Sequence, residues 1–253
     1  MIKRIMAAAL AVTILLGAGG CMKKKTRVVY TLEEKKQMVL AYLENKYGEE
    51  FVPESMVRKD WAQSYDRIFL HPKNGEKGKD TFAVWLSIRD DGSCHMSDGY
   101  FGVIIRDEYE AVMSGFVGEI YKEFKLYTDF GSGAVFAERL NKDTKIGEIY
   151  NKDERIFSSN TTVFVKQASA KGINTSESIK NIAQKMVENK LVGSIKIYIV
   201  FDDKYENVGL DTLSINPMKE VEYFESKVNR KQPHYVLDVT MDLEIKNYYE
   251  GDE

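Results

Sequence analysis

Tyr235-Val236-Leu237-Asp238-Val239-Thr240-Met241-Asp242-Leu243-Glu244-Ile245 decides the fold class. Tyr235, Leu237, Val239, Met241, Leu243 and Ile245 fall on one side of an extended chain, and Asp238, Thr240, Asp242 and Glu244 on the other. One face of this strand meets a core and the other meets water. That pattern belongs to antiparallel sheets with helices packed on one face, so the expected class is α+β, divisible into two small subdomains. The tail from Tyr248 to Glu253 is polar and reads as frayed.

Upstream, Asn216-Pro217 supplies a cap and a proline at the first helical position, predicting a helix with Met218, Val221, Phe224 and Val228 inward. Ser194 to Phe201 is rich in β-branched residues and reads as a central strand. Ile179, Ile182, Ala183, Met186, Val187 and Leu191 mark a helix capped by Thr175 or Ser176, and Thr161 to Gln167 is strand-like. The stretch from Tyr127 to Asn160 is the least regular. A domain boundary is placed in it at Gly131, giving units at 31–130 and 131–253.

In the first unit, Thr31-Leu32-Glu33-Glu34 fits a capping box, and Leu32, Val39, Leu40, Leu43 and Tyr47 follow on one helical face up to Gly48. Tyr65 to Leu70 and Thr81 to Arg89 read as strands. Asp90-Asp91-Gly92 turns the chain into a returning strand within Ser93 to Ile105. After Arg106, Tyr109, Val112, Met113, Phe116, Val117, Ile120, Tyr121 and Phe124 form a wide apolar stripe, which is a core-facing helix. Gly115 and Gly118 inside it suggest close packing on a sheet.

The N-terminus carries a different signal. Lys3 and Arg4 precede an uncharged run from Ile5 to Gly20 of 16 residues, shorter than the ~20 that a helix needs to cross a bilayer core. Leu16-Gly17-Ala18-Gly19-Gly20-Cys21 resembles the lipobox of bacterial lipoproteins, with Ala18 where leucine is usual. The resemblance implies a signal peptide at 1–20, lipidation of Cys21, and a basic tether at 21–30 containing Lys23, Lys24, Lys25 and Arg27. An uncleaved N-terminal anchor is the alternative, because those lysines resist transfer across a membrane.

Loss of Lys3 and Arg4 takes the formal charge from −3 to −5, a mildly acidic balance with no electrostatic footprint for nucleic acid. Hydrophobic content of 43% favours a folded core over disorder. Cys94 is the one other cysteine, so once Cys21 is acylated no intrachain disulfide can form. Cys94 itself reads as a small buried hydrophobe.

No catalytic residues stand out. Cys94-His95 with Asp98 is the closest approach to a metal cluster, but neighbours on a strand point apart. Asp90-Asp91 and Asp202-Asp203 lack calcium-loop spacing and read as turns. Gly131-Ser132-Gly133 is too short for a phosphate loop and reads as a hinge. Exposed members of Tyr248-Tyr249 and Tyr100-Phe101 would suit protein or glycan contacts.

The segment Tyr42-Leu43-Glu44-Asn45-Lys46-Tyr47-Gly48-Glu49-Glu50-Phe51, followed by the hairpin and Asp98-Gly99-Tyr100, resembles a module in uncharacterised lipoproteins of low-GC Gram-positive bacteria. That resemblance implies a surface location and a small helix-plus-sheet fold, and brings no catalytic residues. The expected protein is therefore a lipoprotein on the outer face of the cytoplasmic membrane. Its membrane contact is the lipid anchor, its other partner a protein, glycan or small molecule, and it needs no cofactor. A non-enzymatic binding role leads; a transporter's solute-binding lipoprotein follows, and then a cell-wall hydrolase.

Overall fold

The computed structural model describes residues 29–154, 157–214, 223–224 and 235–250. The expected signal peptide, the expected lipidation site Cys21, the expected tether up to residue 28, His234 and the helix expected after Asn216-Pro217 all lie outside the described residues, apart from Phe224 of that helix. The architecture is α+β, as the alternating pattern predicts.

Helix α1 (Leu32–Tyr47) starts and stops where its sequence says. The Glu34 amide donates to the Thr31 hydroxyl at 3.2 Å, and the Thr31 amide donates to the Glu34 carboxylate at 2.7 Å. Gly48, at φ 72°, closes the helix by donating its amide to the Glu44 carbonyl. Val39, Leu43 and Tyr47 are buried, whereas Leu32 is 40% exposed and leaves the predicted apolar face.

Four strands follow that stripe into an antiparallel sheet: β1 (Phe51–Val57), β2 (Asp66–Pro72), β3 (Phe82–Ile88) and β4 (Cys94–Asp98), in that order. Strand β1 has no sequence signal beyond Phe51 and Val52. Pro53 cannot donate a ladder bond, and the register shifts between Pro53 and Ser55, which suits an edge position. The β3–β4 turn is the expected one, with Gly92 at φ 85°.

Helix α2 (Tyr100–Gly118) begins directly after β4, several residues before the expected start. Tyr100 joins the core of the first sheet, while Phe101, Ile105, Tyr109, Met113 and Val117 join that of the second. One helix therefore welds both cores. Of its glycines, Gly102 is the closely packed one, with the Phe130 and Phe136 side chains about where a Cβ would press; Gly115 faces open space, contrary to expectation.

The second sheet has the order β5 (Phe124–Asp129), β6 (Ser159–Lys166), β7 (Gly193–Val200), β8 (Tyr235–Val239), β9 (Ile245–Glu250). It is mixed rather than antiparallel throughout. Strands β6 and β7 run parallel, joined through the short helix α3 (Gln167–Ala170) and helix α4 (Thr175–Glu188). The N-cap of α4 is Asn174, one residue before the expected cap, and its side chain accepts the Glu177 amide. Strand β7 is central, as its composition predicts.

Two further corrections come from this sheet. Phe124 belongs to β5 instead of the α2 stripe, and β5 pairs with β6, so residue 131 does not divide the sheets; the division falls at α2. The alternating stretch at 235–245 is also a hairpin, not one strand. Leu243 takes φ 59°, and Thr240 and Glu244 close the turn through a 2.9 Å backbone bond. The alternation carries through the turn, so periodicity cannot reveal it. As a result, Tyr249 and Glu250 pair with Val236 and Tyr235 in the β8–β9 ladder rather than fraying.

The tyrosines in these cores set a limit at high pH. Tyr109 is fully buried, and burial pushes its hydroxyl up to about 12 despite a hydrogen bond with Ser159. Tyr47 is likewise raised, by burial and then by the Asp98 charge. Above pH 10 the unfolded chain releases these protons while the folded chain keeps them. Stability should therefore fall with rising pH, by ~1.4 kcal/mol per pH unit for each such tyrosine. Urea titrations at a series of alkaline pH values would show this slope, and Tyr109→Phe would reduce it.

Candidate binding cleft

Asp98 ends β4 on the core side and is 1% exposed. A buried carboxylate is tolerable only when its lone pairs are met by donors, and four reach it. The Tyr47 hydroxyl donates to Oδ1 at 2.6 Å and the Tyr100 amide at 3.1 Å. The Tyr42 hydroxyl and Lys46 Nζ each donate to Oδ2 at 2.8 Å. Tyr42, Lys46 and Tyr47 share one side of α1 at helical spacing, so a single helix face supplies three of the four.

Burial, and secondarily the Asp98 charge, hold the Tyr42 and Tyr47 hydroxyls well above the usual phenol range. They stay donors at any physiological pH. The Lys46 ammonium also lies over the Tyr47 ring, 5.1 Å from its centroid. Glu49 takes the Tyr100 hydroxyl at 2.7 Å. Tyr42, Lys46, Tyr47 and Tyr100 thus converge on one carboxylate.

The chain returns to this point from the second sheet. The Phe136 amide donates to the Asp98 carbonyl at 2.9 Å, and a Cβ on Gly99 would lie 2.3 Å from the Ala134 carbonyl oxygen. Beyond Phe136, Leu140 is buried. Arg139 pins the loop by donating to the Glu154 carboxylate and to the carbonyls of Glu148 and Ile149. Asn141 accepts the Asp143 amide, and Thr144 accepts the Asn141 amide.

Between this loop and the last turns of α1 lies a cleft of about 500 Å³, lined by Tyr42, Asn45, Lys46, Glu138, Asn141, Lys142 and Asp143. Tyr42 and Lys46, two of the donors to Asp98, line it from α1, and Glu138, Lys142 and Asp143 on the loop are exposed charges of both signs. Such a lining can hold a polar ligand by hydrogen bonds and ion pairs.

The sequence singles out other residues, and the structure scatters them. Cys94 is a free and exposed thiol, not a buried hydrophobe, because it opens an edge strand; the thin cover it has raises its pKa. His95 is exposed beside it, at the far end of β4 from Asp98. His71 pairs with Glu54 at 2.8 Å. Asp91 accepts the Ser93 amide and hydroxyl within its turn, and Asp202 accepts the Ala168 amide. Tyr100 and Phe101 are core, whereas Tyr248 and Tyr249 are 36% and 40% exposed on β9.

Gly131-Ser132-Gly133 forms a turn in which the Gly133 carbonyl accepts the Trp85 indole at 3.0 Å. Among the described residues, no group of three or more His, Cys, Asp or Glu could hold a metal ion. The cleft residues Glu138 and Lys142 carry no local signal in the sequence beyond a polar run near Asn141.

No family model matches the chain, and no curated protein does. Among solved structures it is similar to the crystal structure of a DUF5037 family protein from Ruminococcus gnavus ATCC 29149. The identity is 17%, the match covers 77% of this chain and 83% of that one, and the TM-score is 0.39. A likeness at that level carries no argument about fold or function.

Proposed function

We propose that this chain is a lipoprotein, acylated on Cys21 at the outer face of the cytoplasmic membrane, that binds a small polar ligand carrying both charges, such as an amino acid or short peptide. The observation that carries the binding role is the cleft, which α1 lines with Lys46 and the facing loop with Glu138, Lys142 and Asp143. The signal-like N-terminus supports the anchor. The cleft sits at the C-terminal turns of α1, and Leu32 to Lys46 spans ~21 Å along the helix axis at ~1.5 Å per residue. The tether enters at the other end of that helix. The cleft therefore faces away from the bilayer.

Radiolabelled palmitate is expected to label the wild type in a Gram-positive host and not Cys21→Ala; equal labelling of both would refute the anchor. For binding, a panel of amino acids and dipeptides should raise the melting temperature. Lys142→Ala should then weaken the best ligand roughly tenfold, which is about 1.4 kcal/mol. A panel without any thermal shift would remove the ligand class.

A further inference from the structure

We infer that the β1–β2 loop carrying Trp61 is a second membrane contact, which seats its indole in the phospholipid headgroup region beside the N-terminal anchor. The inference rests on the anchored reading above.

Trp61 is 98% exposed, on a loop closed by its own hydrogen bonds. Asp60 Oδ1 accepts the Ala62 and Gln63 amides at 2.8 and 3.0 Å, the Asp60 amide donates to the Gln63 carbonyl, and the Gln63 side chain donates to the Arg58 carbonyl. A large indole held fully in water on such a turn buries nothing within the chain.

The loop lies where the tether enters the body. Asp66, at the start of β2, accepts Lys35 Nζ from the first turn of α1 at 2.6 Å and the Lys59 amide from the loop at 2.8 Å. Leu32 and Lys36 share a groove with Met56 and Arg58. The apolar residues exposed at this end include Val29, Leu32, Val57 and Trp61. From Cys21 to Val29 is eight residues, which span at most ~28 Å when fully extended. An anchored Cys21 thus confines this end of the body to the bilayer surface.

Charge favours the same occupant. Lys23, Lys24, Lys25 and Arg27 in the tether, with Lys36, Arg58 and Lys59 in the body, complement anionic headgroups. Of the acids at this end, Asp60 is engaged in its turn, Glu34 in the helix cap, and Asp66 with Lys35. Glu33 stands 3.9 Å from Lys36, Glu54 in the groove is paired with His71, and Asp90 and Asp91 occupy the turn whose Gly92 carbonyl accepts the Tyr30 hydroxyl. An indole flanked by basic residues is the side-chain set of a membrane–water interface.

The test uses the full chain in phosphatidylglycerol–phosphatidylcholine vesicles whose lipids are brominated high on the acyl chains. Trp61→Phe leaves Trp85 as the one indole and gives the baseline to subtract. Because Trp61 makes no packing contact that its exposure allows, this variant should fold. The Trp61 share of the emission is expected to shift to the blue and to lose most of its intensity, and Arg58→Glu with Lys59→Glu should reduce that loss. A Trp61 emission on bound protein that matches the vesicle-free spectrum would overturn the inference and leave the anchor standing. Conversely, a chain that takes no palmitate and is held by an uncut N-terminal segment still reports Trp61 depth, so failure of the anchor reading is read separately.

Discussion

Asp98→Ala is expected to lower the unfolding free energy by about 3–5 kcal/mol, the cost of removing one partner from a buried ion pair. The carboxylate has four donors, and its loss would leave Lys46 Nζ and the Tyr47 hydroxyl facing an apolar hole. For a domain stable by ~5–15 kcal/mol that is a large share. Urea unfolding measures it through the transition midpoint at unchanged slope. The double variant Asp98→Ala with Lys46→Met should be less damaged than the sum of the single changes, since it removes the orphaned charge. A loss below ~1 kcal/mol for Asp98→Ala would mean that the network is not built as described. The same variant should abolish ligand binding in the cleft, which Tyr42 and Lys46 line.

Gly193→Ala is expected to be still more severe, ~4 kcal/mol or more, which places it among the exceptional single substitutions. Gly193 opens β7 at φ 146°, a conformation that side chains rarely adopt. An added Cβ would lie 2.2 Å from Ser159 Oγ, 2.3 Å from the Ser159 carbonyl oxygen and 2.7 Å from its amide nitrogen. Ser159 cannot retreat. It is fully buried, bonded to the Tyr109 hydroxyl at 2.6 Å and the Val192 carbonyl at 3.1 Å, and it pairs with Gly193 in the parallel ladder. Combining Gly193→Ala with Ser159→Gly removes the hydroxyl but leaves the backbone clash, so it should not restore stability. Soluble yield and thermal unfolding of the three variants would check this, and recovery by Ser159→Gly would show that the hydroxyl alone was the obstacle.

Much of the fold is readable along the chain because its determinants are local. The Thr31–Glu34 box, the Gly48 stop, the Asp90-Asp91-Gly92 turn and the apolar run of β7 each depend on residues within a few positions, and each stands where expected. Errors arise where two conformations share one pattern. The stretch at 235–245 alternates equally well as a strand and as a hairpin, and only pairing of Val239 with Ile245 distinguishes them. The stripe ending in Phe124 fits a helix, but β5 gains a ladder with β6 by leaving it. Strand β1, with Pro53, is stabilised by its neighbour β2 and not by its own composition.

The cleft was the least legible part. Asp98 is separated from Tyr47 by 51 residues, and nothing near it in the chain reveals that it will be buried. By itself the sequence determined the α+β class and the capped first helix, because periodicity and capping act over a few residues. Tertiary structure alone decided that α2 joins two cores, that one carboxylate gathers donors from α1 and α2, and that a remote loop and α1 together line a charged cleft. Those outcomes depend on which surfaces exclude water together, a property of the folded chain as a whole.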